Sequence, residues 1–301
     1  SDLSGHGTHC AGTVVGTGVS GLATGVAPGA KIMAIKVLGA TGGGTEANTM
    51  LGLEFAVLHG ARILSMSLGW QHQWGPDRAG WRIAMNNVLS AGVIASVSAG
   101  NEGIFGGQPA PHNIRTPGDC PAPWTHPDQP PSGSNSAVVT IGSTTSSDQI
   151  SGFSSYGPVT WQNIEPFNDY PYNPGVGLIG PDVLAPGSDV ISLTHNSNTG
   201  YTIKSGTSMA APAVAGLKAL MISKNPNLLP EQISQILEET AIPFTEHKAN
   251  RFGSGRIDAV AALEATPDYG VVYKDHNLKN TEGHPVEYIT PGNSYILDVS
   301  F

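Results

Sequence analysis

Three side chains, each set among small residues at the edge of a strand or helix pattern, carry most of the chemistry this sequence offers. Ser208 lies in Gly206-Thr207-Ser208-Met209-Ala210-Ala211-Pro212, where a strand-like run turns into a helical one. A hydroxyl there is accessible, and the unpaired first amides and positive end of the helix favour negative charge beside it. The plain structural alternative is an N-cap serine. His6 lies in Gly5-His6-Gly7-Thr8-His9-Cys10-Ala11-Gly12, at the start of a short helix, with room for an imidazole to exchange protons near neutral pH. His6 and His9 are spaced i, i+3, and with Asp2 could instead ligate a metal. Asn101 lies in Ser98-Ala99-Gly100-Asn101-Glu102-Gly103, after a strand-like run. Its amide can donate to a developing oxyanion, or it can be a turn asparagine in a left-handed conformation.

The elements that must position these groups alternate. Strand-like runs at Lys31–Leu38, Arg62–Leu68 and Val93–Ala99 are interleaved with helical patterns at Thr45–His59 and Ala79–Ala91. This is the rhythm of βαβ units, which build a parallel sheet with sites at the carboxyl ends of its strands. Further strands are expected at Ala137–Ile141, Asp189–Leu193 and Tyr201–Lys204, and helices from Ser208 to Lys224 and from Pro230 to Ala241. Pro212 is expected within the first turn of its helix, where its missing amide costs nothing. Ile104–Ser136 and Trp161–Gly180 read as long ordered excursions. After Ala265 the pattern changes to short alternating runs, the clearest being Tyr295–Phe301, so residues 266–301 are expected to begin a β-rich module.

Composition excludes several classes. With 301 residues the chain can bury a sizeable core, and its formal net charge of −9 argues against a nucleic-acid partner. No run approaches the ~18 apolar residues of a membrane span. Gly39–Gly44 follows a strand pattern and precedes a helix, but its spacing is not Gly-x-Gly-x-x-Gly and no phosphate-binding Lys-Ser/Thr follows. Two cysteines, Cys10 and Cys120, exclude a disulfide scaffold and leave the redox compartment open.

Taken together, His6, Asn101 and Ser208, in that order on an alternating α/β chain, resemble the subtilisin-like serine proteases. The resemblance runs to about Ala265 and includes Lys36-Val37-Leu38-Gly39-Ala40, Ser65-Met66-Ser67-Leu68-Gly69, Phe153-Ser154-Ser155-Tyr156-Gly157-Pro158, Asp182-Val183-Leu184-Ala185-Pro186-Gly187 and Gly253-Ser254-Gly255-Arg256-Ile257. It implies an α/β, three-layer fold with a mostly parallel central sheet and helices on both faces, over residues 1–265. It implies a serine endopeptidase acting through an acyl-enzyme, with Ser208 as nucleophile, His6 as general base and Asn101 with the Ser208 N–H as oxyanion hole. Gly42, Gly43 and Gly44, and Ser67, Leu68 and Gly69, resemble the two strands that hold an extended peptide. Ser98, Ala99 and Gly100 would form one wall of the pocket for the residue before the scissile bond, expected to be roomy and tolerant. The alternative is an inactive module that only holds peptides in the same cleft.

The family's catalytic Asp lies tens of residues before its His, whereas this sequence starts five residues before His6. The expectation is an N-terminal truncation, with residues 1–301 folding poorly alone and Asp2 a local structural residue. The resemblance further implies secretion, a propeptide, protein or peptide substrates, and a monomer. No cofactor is required for the chemistry; a structural calcium is compatible, although Thr17-Gly18-Val19-Ser20-Gly21 offers few side-chain oxygens. The two excursions are expected to flank the cleft, and no bridge is expected between Cys10 and Cys120.

Overall fold

The computed structural model describes residues 2–104, 106 and 108–269, and the backbone of 275–280 and 295–300. Four short strands, β1 (Ile63–Met66), β2 (Ile94–Ser98), β3 (Val138–Thr144) and β4 (Val183–Pro186), form a parallel sheet in the order β1-β2-β3-β4. Alternation along the strands supplies two cores. Ala95, Val97 and Val138 face Leu53 and Ala56 of α2 (Glu46–Leu58) and Trp81, Met85 and Val88 of α3 (Arg78–Ser90). Ile94, Val139, Ile141 and Val183 face α4 (Thr207–Lys224), α5 (Pro230–Glu239) and α6 (Ala259–Ala265) through Val214, Leu217, Ile233, Leu237 and Ala262. Helix, sheet and helix are therefore stacked in three layers, as expected for an α/β fold.

Local chemistry sets the element ends. Thr45 caps α2 by accepting from Asn48 N–H at 3.2 Å, and Asp77 caps α3 through Gly80 N–H at 2.9 Å. Helix α1 (His6–Val15) packs against the antiparallel pair β5 (Val190–Leu193) and β6 (Tyr201–Lys204). His9 Nε2 lies 3.1 Å from the Val190 carbonyl, and Ser192 Oγ donates to the His9 carbonyl at 2.8 Å.

Three expectations are corrected or completed. Lys31–Leu38 is not a strand: it joins no ladder, and β1 pairs only with β2 among the described residues. It packs instead on α2, where a Cβ on Gly52 would lie 2.6 Å from Val37 Cγ1. The second excursion docks on α3 and on the first excursion: Trp161 is buried against Arg78, and Arg82 is bound to Asp169 and to the Ser134 carbonyl. Beyond Ala265, β7 (Asp275–Asn280) and β8 (Tyr295–Ser300) pair antiparallel, matching the alternating run; Phe301 lies outside the described residues.

Candidate active site

Helix α4 starts at the carboxyl ends of β1 and β2, and Ser208 is its second residue. The N-cap is Gly206, so Ser208 is not the capping serine. Its side chain is half-buried and its N–H lies in the first turn, where no earlier carbonyl is in helical register. Pro212 is not in the first turn as expected. With the helix starting at Thr207, Pro212 falls where its missing N–H would have served the Ser208 carbonyl. That carbonyl is satisfied from outside the helix, by Ser67 Oγ at 2.7 Å and by the Cys10 thiol at 3.3 Å. The Ser208 backbone is thereby tied to the end of β1 and to α1.

The same thiol lies 4.0 Å from His6 Nδ1, one helical turn back on α1, which brings His6 and Ser208 to one place. The Ser208 hydroxyl itself points to the Ser67 carbonyl at 3.5 Å. Burial depresses the pKa of His6, helped by the Lys204 charge and opposed by Asp2, so its ring is neutral near pH 7. Burial pushes the Cys10 thiol up to about 11, which keeps it protonated as a donor. Both cysteines are free and buried.

Asp2 serves the turn before α1. It accepts from Thr8 N–H at 2.7 Å, Thr8 Oγ1 at 2.8 Å and Gly5 N–H at 3.0 Å. Burial would raise its pKa, but these bonds outweigh it and bring the carboxyl to about 2. Among the described residues no carboxylate is hydrogen-bonded to the His6 ring, and no group of three His, Cys, Asp or Glu side chains could hold a metal ion. The His6/His9/Asp2 set is spent elsewhere, His9 on Val190 and Asp2 on its turn.

Asn101 follows β2 and is exposed. Its Oδ1 accepts from Thr207 N–H at 2.9 Å and lies 3.1 Å from Thr207 Oγ1. Thr207 is buried and also bonds both polar groups of the Gly100 backbone, at 3.1 and 3.2 Å. With the oxygen so engaged, the Asn101 NH₂ lies beside the start of α4, 3.5 Å from where a Cβ on Gly206 would stand. This clamp was missed in the sequence, although Thr207 stands directly before the serine.

Of the expected substrate-binding residues, Ser67, Leu68 and Gly69 follow β1, and Ser98, Ala99 and Gly100 end or follow β2, side by side. Gly42, Gly43 and Gly44 form an exposed turn, with Gly43 O accepting from Gly39 N–H at 2.7 Å. No hydrogen bond among the described residues ties that turn to His6, Asn101 or Ser208.

The subtilase family model, peptidase S8, matches residues 1–262, most of the chain. The chain belongs to the subtilase family. It is 33% identical to subtilisin DY of Bacillus licheniformis over 88% of this chain and 79% of that protein. It is 32% identical to subtilisin Savinase of Lederbergia lenta, over 87% of this chain and 78% of that protein. It is 31% identical to serine protease AprX of Bacillus subtilis strain 168, over 86% of this chain, and spans only 57% of that relative's length.

Proposed function

We propose that this subtilase is a serine endopeptidase that cleaves peptide bonds through an acyl-enzyme on Ser208. In this reading His6 takes the Ser208 proton and returns it to the leaving amine. The oxyanion is received by the Asn101 NH₂ and the Ser208 N–H. The observation that carries the reading is the Thr207 clamp, which engages Asn101 Oδ1 at 2.9 Å beside the residue that precedes Ser208 and leaves the amide's NH₂ as the group available to an oxyanion. Asp2 is committed to Thr8 and Gly5, so it is not the carboxylate that would orient His6 in this reading. Residues 1–265 are the peptidase domain in this reading, and 266–301 belong to a β-rich extension. The protein acts on protein or peptide substrates outside the cell, as a monomer released from a propeptide.

Fluorophosphonate labelling of the complete mature protein tests this, with the modified peptide located by mass spectrometry. Label on Ser208, lost in Ser208→Ala together with hydrolysis, is the expected outcome. A folded, mature protein that leaves Ser208 unlabelled would overturn it and favour an inactive peptide-binding module in the same cleft. No helix among the described residues is long and apolar enough to cross a membrane.

A further inference from the structure

The two segments assigned to hold substrate, Ser67–Gly69 and Ser98–Gly100, leave adjacent parallel strands and would be separated by an open gap. In this chain the gap is filled. The first excursion sends Ile114–Thr116 across it: Arg115 N–H donates to the Ala99 carbonyl at 2.9 Å, and Thr116 exchanges two backbone bonds with Trp70, at 2.8 and 3.0 Å. The Arg115 side chain then stands between the two walls. A Cβ on Gly69 would lie 3.0 Å from Arg115 Cβ, and one on Gly100 would lie 3.0 Å from Arg115 Cγ and 2.5 Å from Glu102 Oε2. Both walls are glycine where this side chain passes.

The head of Arg115 is held as firmly as its stem. Its Nε donates to Glu102 Oε1 at 3.0 Å and Oε2 at 3.2 Å, and its Nη2 donates to Oε1 at 2.6 Å. Glu102 also accepts from Gln71 Nε2 at 2.6 Å and Ser155 Oγ at 3.0 Å. The Glu102 side chain is 5% exposed and that of Arg115 26% exposed. Pairing of this kind is charge-assisted, and removing one partner strands the other in a poorly solvated place.

We infer that the Arg115–Glu102 pair is the floor of the pocket for the residue before the scissile bond, and that it restricts cleavage to sites after small uncharged residues. The inference rests on the proposed peptidase function. A large side chain can enter only by displacing the pair. A basic one meets a carboxylate whose oxygens are already engaged, and an acidic one meets a guanidinium already neutralised. Glycine, alanine or serine covers the pair and leaves it intact. The roomy pocket suggested by the small residues Ser98, Ala99 and Gly100 is thus closed by a residue that sequence position does not associate with it.

The test is the cleavage profile of the complete mature protein on a peptide library randomised at that position, read by mass spectrometry of the new carboxyl termini. Cleavage after Ala, Gly or Ser is expected to exceed cleavage after Phe or Leu in kcat/KM by at least about tenfold. Arg115→Ala leaves the Glu102 carboxylate uncompensated, and cleavage after Lys and Arg should rise about tenfold or more relative to wild type. Arg115→Ala with Glu102→Gln opens a neutral cavity, and the preference should move to Leu and Phe. Equal cleavage after Phe and Ala by the wild-type protein overturns the inference without any variant. A wild-type profile retained by a variant that still takes the fluorophosphonate label on Ser208 also overturns it, and leaves the peptidase reading standing. An unlabelled Ser208 with no cleavage overturns both.

Discussion

Asn101 and His6 show how single side chains are prepared by neighbours that do no chemistry themselves. Thr207 engages the Asn101 oxygen at 2.9 Å, so the amide cannot rotate to present an acceptor to a developing oxyanion without losing that bond. In its proposed role, Asn101→Leu should lower kcat by about 10²–10³ with little change in KM, the magnitude being that for loss of one oxyanion-hole donor in subtilisin, a relative of this chain. Steady-state kinetics on a peptide ester checks it; an unchanged kcat would remove Asn101 from the site. His6 is held neutral chiefly by burial and next by the positive charge of Lys204. In its proposed role as base His6 works deprotonated, so activity is expected to rise with pH through the His6 pKa. Lys204→Met removes a charge that disfavours the imidazolium and should move the acidic limb of the kcat/KM profile to higher pH.

At the scale of elements, the excursions are anchored by buried arginines of α3. Arg82 is fully buried, bound to both Asp169 oxygens at 2.7 Å and to the Ser134 carbonyl at 2.8 Å, and stacked over Phe167 with its Cζ 4.1 Å from the ring centroid. One side chain thus joins α3 to both excursions. Arg82→Ala leaves Asp169 buried without its cation and should cost about 3–5 kcal/mol, seen in denaturant unfolding. Early proteolytic nicking within 161–180 should accompany it. Arg78 does similar work beside it, donating to buried Asp119 at 2.7 Å and to the Thr160 carbonyl at 2.7 Å. Burial alone would raise the Asp119 pKa, but Arg78 and His72 outweigh it and bring the carboxyl to about 2.

For the molecule as a whole, the cost of burying charge shows most clearly at Lys218. Its ammonium group sits in the α4–sheet core with one hydrogen bond, to the Ala95 carbonyl at 2.8 Å, and burial lowers its pKa well below the ordinary lysine value. The unfolded chain therefore binds this proton more tightly than the folded one. The resulting penalty is greatest below the folded pKa and fades as pH rises through about 10.4, the unfolded value. Lys218→Met should raise Tm at pH 7, at about 2–4 °C per kcal/mol recovered, with the gain shrinking toward pH 10 in calorimetric scans. A gain that does not vary with pH would mean packing, not charge, was relieved. The Glu238 carboxyl, also buried, is pushed up to about 7 by burial, against the pull of Lys248, which it meets at 2.7 Å.

Much of this was legible in the linear sequence because it rests on local rules. Helices α2, α3 and α4 follow from their periodic patterns, and Thr45 and Asn225 stand at their boundaries. Strands β1, β2, β5 and β6 fall within the apolar runs, β3 runs past its expected end at Ile141 to Thr144, and His6, Asn101 and Ser208 stand at the edges of strand and helix patterns. Strand β4 ends in proline within a run that shows no strand pattern, and it is a strand because β3 lies beside it. Lys31–Leu38 has the composition of a strand and is not one, since a ladder needs a neighbour. The contacts that prepare the site were out of reach for the same reason. Thr207 on Asn101, Ser67 and Cys10 on the Ser208 carbonyl, and Arg115 against Gly69 and Gly100 join residues distant in the chain or separated by turns whose geometry spacing does not define. The order and types of the candidate site residues were determined by the sequence; which neighbour fixes each of them, and which side chain stands between Gly69 and Gly100, was decided only by the tertiary packing that brings those partners within reach.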